Sequence, residues 1–161
     1  MVEPKRCRDT DCLHPALREF VERAHDEIAA LAVLETSRTP QRHAWLMTRG
    51  YTKERALKFH CHPQVAKELF DMPEAAFQPT VRAVTHTGWS RHIPADDGLV
   101  YAVDIALYDG KTDDLTWDIA IYRRFVTWTK ELAWNVGAKH HVELQNLGAS
   151  IGDWCHWQIK P

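Results

Sequence analysis

No stretch of this sequence approaches the roughly 18 consecutive apolar residues that span a bilayer, so no membrane span is expected. The opening, Met1-Val-Glu-Pro-Lys-Arg-Cys7, lacks the apolar core of a secretory leader. The expectation is a protein made and kept in a cytoplasm until something else lets it out. An excess of one charge is also missing. With 20 Lys and Arg against 22 Asp and Glu, the net charge of −2 offers no basic footprint for nucleic acid. Cysteine is sparse. Cys7, Cys12, Cys61 and Cys155 lack the two close pairs of a zinc ribbon or finger. Reduced thiols are expected, with a Cys7–Cys12 bridge as the lesser alternative. Internal repeats and low-complexity segments are absent.

What is present fits one ordinary domain covering 1–161. A hydrophobic share of 45% and a charged share of 26% are those of a soluble globular protein. A chain of this length buries a core without disulfides. Ten histidines and seven tryptophans are the mild excess. Histidine suits metal binding; tryptophan suits stacking on sugars or filling a core.

Hydrophobic periodicity predicts a helix over His14–Leu31, with Leu17, Phe20, Val21, Ala24, Ile28 and Leu31 on one face. Ala32–Thr36 reads as a short buried strand. Thr39 caps a helix that starts at Pro40, runs to Arg49 and ends at Gly50. Residues 51–82 give mixed signals, with a helix suggested over Pro63–Phe70. Arg82–Thr87 and Leu99–Leu107 read as strands, and Asp109-Gly110 as a turn. Leu115–Val136 reads as one long helix ended by Gly137, with Trp117, Ile121, Phe125, Trp128 and Leu132 as a core stripe. Val142–Leu147 and Trp154–Ile159 read as the last strands. The order implies α+β with a small, mostly antiparallel sheet flanked by helices.

Chemistry concentrates in two places. Ser90-Arg91-His92 is followed by Ala102-Val103-Asp104-Ile105, and Asp153-Trp154-Cys155-His156-Trp157-Gln158 lies near the C-terminus. A catalytic zinc takes three protein ligands and leaves a fourth position for water. Two histidines and a carboxylate satisfy that, and a further acid beside the water can take its proton. In a straight strand, Asp153 and His156 would point to opposite faces, so they converge only if the backbone turns. Each half alone is also what packed or surface residues look like.

Together, Ser-x-His, Ala-Val-Asp-Ile and Asp-x-x-His-Trp-Gln resemble a zinc peptidase family. It comprises D-alanyl-D-alanine carboxypeptidases, vancomycin-resistance dipeptidases and phage L-alanyl-D-glutamate endolysins. The resemblance implies the DD-peptidase (hedgehog-like) fold, Zn2+ on His92, Asp104 and His156, and Asp153 as general base. Glu35-Thr-Ser-Arg38-Thr-Pro-Gln41, followed by Leu46 and Gly50, looks like the family's upstream arginine block. Arg38 would then stabilise the carbonyl oxyanion or bind a substrate carboxylate, though a surface charge at a helix flank reads equally well. Ser90 would touch substrate or orient a ligand, or else is a turn serine.

One departure matters. The family's tight loop between the first His and the Asp is longer here by five residues. That leaves Asp96 and Asp97 open as ligands in place of Asp104, although a strand position fixes geometry better. A second departure is the long stretch of about Thr52–Thr87 before Ser90, and a third is His-Trp-Gln where many relatives have His-Phe-Glu.

Other groups weigh less. His60-Cys61-His62 has metal-binding chemistry, but reads better as packed loop residues. His140-His141 reads as surface, with one as a donor behind a ligand. Cys155 would serve as a nucleophile only with a lowered pKa and a nearby base.

The resemblance therefore implies a monomeric peptidoglycan hydrolase of the phage endolysin type. It would be held in the host cytoplasm, act on the bacterial cell wall and cut the L-alanyl-D-glutamate bond. The rival readings are a D-alanyl-D-alanine carboxypeptidase or dipeptidase, a non-catalytic wall-binding phage protein, and a cysteine hydrolase using Cys155.

Overall fold

The computed structural model describes residues 4–83, 85, 89–109, 111–112 and 114–160. The chain divides into two compact units, 7–37 with 94–161 and 1–6 with 38–93, and each has its own apolar cluster. Among the described residues, no helix is long and apolar enough to cross a membrane.

The first unit opens with helix α1, Pro15–Glu27. Its N-terminus is closed by His14, whose ring Nδ1 accepts from the Ala16 N–H at 3.2 Å. Strand β1, Leu31–Glu35, follows. Strand β2, Ala102–Tyr108, pairs antiparallel with β1, with the two-residue strand β3, Leu115–Thr116, and with β5, Asp153–Ile159. Strand β4, Leu144–Leu147, closes the order β1-β2-β5-β4, which is antiparallel at every pairing. The expected α+β class with a small antiparallel sheet is thus observed.

Helices α5, Ile119–Trp128, and α6, Lys130–Lys139, pack with α1 over the sheet. The cluster between them centres on Phe20, Phe125, Ile105 and Trp157. Phe20 and Trp157 meet with ring centroids 4.4 Å apart. Aromatic contacts of this kind add to the area they bury. β2 is nearly all apolar because it is central and covered, with Asp104 its half-buried polar position.

The long helix expected over Leu115–Val136 is not one helix. Leu115 and Thr116 pair with β2, and Asp118 caps α5 by accepting from Ala120 N–H at 2.8 Å. Thr129 then interrupts the run, its hydroxyl turned back to the Phe125 carbonyl at 2.8 Å. The stripe splits accordingly: Phe125 and Leu132 are buried, whereas Trp117 and Trp128 are exposed. Gly137 lies inside α6. A side chain there would meet the Val142 carbonyl oxygen at 2.6 Å, so close packing explains the glycine. His141, at φ 56°, makes the left-handed turn after α6 instead.

The second unit is helical: α2, Pro40–Met47, α3, Lys53–Leu57, α4, Pro63–Asp71, and a 3-10 turn at Glu74–Ala76. Thr39, Thr52 and His62 cap the three helices with their side chains. Ala44, Met47, Val65 and Leu69 form its core. The strand expected over Arg82–Thr87 is not found at Arg82, Ala83 or Thr85; Val84, His86 and Thr87 lie outside the described residues.

Candidate metal centre

The sheet register carries the first half of the site. Asp104 on β2 lies directly opposite His156 on β5 and opposite Glu35 on β1. Cross-strand partners in regular register share a face, which sets Asp104 and His156 side by side, whereas the β1–β2 register slips between Val33 and Glu35. His156 Nδ1 donates to Asp104 Oδ1 at 2.9 Å, and its Nε2 faces Gln158 Oε1 at 3.3 Å. Gln158 falls on the same face because it is two residues along the strand. Both ring nitrogens therefore face oxygens, an arrangement that the protonated ring satisfies. Burial pulls the His156 pKa down, but the Asp104 hydrogen bond and the charges of Asp104 and Asp153 outweigh it, so His156 is held above its ordinary value. The place favours a positive charge.

The backbone bends where the last motif begins. Gly152 ends helix α7, Gly148–Ile151, at φ 78°, in the left-handed region that glycine tolerates. The β4–β5 register then slips between Asn146 and Leu147: Asn146 pairs with Trp157 but Leu147 pairs with Asp153. Asp153 thus enters β5 at a bulge, an irregularity of the kind that re-aims side chains. Asn146 secures it, its side-chain amide donating to the Trp154 and His156 carbonyls at 3.0 and 3.1 Å. Asp153 Oδ1 accepts from Cys155 Sγ at 3.2 Å. Burial, followed by the charges of Asp104 and Asp153, pushes the Cys155 thiol well above its usual value. That leaves almost no thiolate for nucleophilic attack.

His92 is 1% exposed. Its N–H donates to Ser90 Oγ at 3.2 Å, and its carbonyl accepts the Arg38 backbone N–H at 2.7 Å. Ser90 Oγ also accepts from Arg38 Nη1 at 3.4 Å. Arg38 is 9% exposed, so it is a buried cation and not a surface flank.

His92, Asp104 and His156 make a group that could hold a metal ion. Two imidazoles and a carboxylate are the donor set of many zinc centres, so the residues fit the ion. Among the described residues no other such group occurs, and His60, Cys61 and His62 do not form one. His60 and His62 instead pack on the Trp89 ring at 5.8 and 5.0 Å. Asp96 and Asp97 are outside the group. Asp97 accepts from the Tyr101 hydroxyl at 2.6 Å and from the Leu99 N–H at 2.9 Å. Those two bonds hold its carboxyl below the usual range. His140 lies on Glu19 at 2.8 Å, and His141 is exposed.

Three residues near these groups were not singled out by sequence: Glu35, Gln158 and His43. Gln158 was legible as the second residue after a candidate ligand on a strand. Glu35 and His43 are buried polar residues with no motif of their own.

No protein-family model matches the sequence, and no curated protein matches it. Among solved structures, the chain is similar to the Serratia marcescens L-Ala D-Glu endopeptidase ChiX, with a TM-score of 0.59. The identity is 16%, and the match covers 97% of this chain and 89% of that one. At that identity the likeness establishes the fold alone.

Proposed function

We propose that this chain is a zinc-dependent peptidase of bacterial peptidoglycan stem peptides, with residues 1–161 acting as one catalytic domain. The observation that carries the reading is the His92–Asp104–His156 group in a chain with the fold of an L-Ala D-Glu endopeptidase. The bond we assign is L-alanyl-D-glutamate, after that neighbour.

His92, Asp104 and His156 are the residues that would hold Zn2+. Bound there, the ion supplies acidity to water and polarises the scissile carbonyl. The chain's own groups do the rest. Asp153, the first residue of the strand that carries His156, accepts a proton from the attacking water and returns it to the leaving amine. Arg38 presents its guanidinium to the carbonyl oxygen as negative charge develops there. Ser90 holds both the Arg38 side chain and the His92 backbone, and so orients the two together. The protein works as a monomer of the phage endolysin type, kept in the host cytoplasm and delivered to the wall by a membrane lesion it does not make.

The test is mass spectrometry of purified peptidoglycan digested by the zinc-loaded protein. New L-alanine carboxyl and D-glutamate amino ends are expected. Released D-alanine with the L-alanyl-D-glutamate bond intact contradicts the bond assignment. An undigested wall contradicts the peptidase reading.

A further inference from the structure

We infer that His43 is a positioning residue that fixes the direction of the Arg38 guanidinium; this rests on the peptidase reading above. His43 is fully buried. It stands in the first turn of α2, which is set by Pro40 and by Thr39 Oγ1 accepting from Arg42 N–H at 3.1 Å. Its own N–H donates to the Thr39 carbonyl at 3.0 Å. The ring is thus carried on backbone with little freedom.

The His43 Nδ1 atom lies 3.4 Å from Arg38 Nη1. A guanidinium has donors only, so Nδ1 is the acceptor. Ser90 Oγ takes the same nitrogen at 3.4 Å. The two acceptors come from segments far apart in the chain, and both grip Nη1. The Arg38 backbone is pinned as well, through its N–H to the His92 carbonyl. A long, flexible side chain is therefore fixed at its root and at its tip. A group that must meet a developing charge works best when it needs no rearrangement.

Packing alone does not account for an imidazole here. A leucine would fill similar space without taking a polar ring out of water, which is costly unless the ring is hydrogen-bonded. The bond to Arg38 supplies that compensation.

The experiment compares zinc-loaded wild type with His43→Asn and His43→Leu, alone and with Arg38→Ala. Asparagine places an oxygen at the distance of Nδ1 from the backbone; leucine has no acceptor. For His43→Leu, kcat on stem peptide is expected to fall about ten- to a hundredfold, with KM moving less. His43→Asn should regain most of it. In the Arg38→Ala background, His43→Leu should cost nothing further, because its effect runs through the missing arginine. The Arg38 Nη resonances should be resolved in wild type and His43→Asn but averaged by rotation in His43→Leu. If His43→Leu does not fold, His43→Gln, which shifts the acceptor by one carbon, should show the same loss relative to His43→Asn. Equal kcat in all His43 variants, or a further loss in the Arg38→Ala background, overturns the inference. A zinc-loaded wild type with no activity overturns the peptidase reading instead.

Discussion

Asp104 and His156 face each other across β2 and β5 with Oδ1 and Nδ1 2.9 Å apart. An antiparallel register thus brings together a carboxylate and an imidazole 52 residues apart in sequence. Asp104→Asn keeps the size of the side chain and removes its charge. On the present account it lowers wall-peptide hydrolysis by more than about a hundredfold and weakens zinc retention in step. Metal analysis of the purified variant checks this. Full zinc content with full activity would exclude Asp104 as a ligand.

Asp153 is assigned a different job from its neighbour on the strand. Asp153→Asn should reduce kcat by about 10²- to 10⁴-fold, the usual worth of a general base. Zinc content should stay at the wild-type level, because Asp153 is not one of the three residues assigned to the ion. Loss of metal together with activity would make it a ligand.

The distinction between these two aspartates shows how much of the molecule was legible from sequence. The resemblance of Ser-x-His, Ala-Val-Asp-Ile and Asp-x-x-His-Trp-Gln to a zinc peptidase family is what singled out His92, Asp104 and His156, the three that form a group that could hold a metal ion, together with Asp153 as the expected base. The bulge where β5 begins was not legible, since it depends on a register slip against β4 and on Asn146 bonding two carbonyls. The class of fold followed from alternating and periodic apolar residues. The helix break at Thr129 did not, because a hydroxyl bonding back to its own turn leaves the hydrophobic period nearly intact. His43 carried no signal: a histidine inside a short amphipathic helix looks like any other until Arg38 is seen beside it.

Cys155 offers a clean separation from thiol chemistry. Its thiol is pushed far up by burial and by two carboxylates. Treatment with iodoacetamide near neutral pH should leave wall lysis unchanged, and Cys155→Ala should remain active. Loss of activity in step with alkylation of Cys155 would favour a cysteine hydrolase.

Away from the site, Glu19 ties α1 to the end of α6 through Lys139 and His140, each at 2.8 Å. Those two hydrogen bonds, Lys139 first, hold the Glu19 carboxyl below its ordinary value. A carboxylate with a lowered folded pKa stabilises above its unfolded value, and the benefit is lost as pH falls through the folded one. Glu19→Gln should therefore lower Tm by about 1–3 °C near pH 7. The gap should close below about pH 4, where the unfolded carboxylate takes up its proton. Thermal melts across that range test it; a gap constant down to strong acid would contradict it.

The most direct measurement is the metal content of purified protein alongside its lysis of cell walls, for wild type and His156→Ala, before and after chelation. The account predicts about one zinc per chain in wild type, loss of lysis on chelation, recovery on adding zinc back, and neither bound zinc nor lysis in a folded His156→Ala. Undiminished lysis by metal-free wild type, or by His156→Ala, would contradict it.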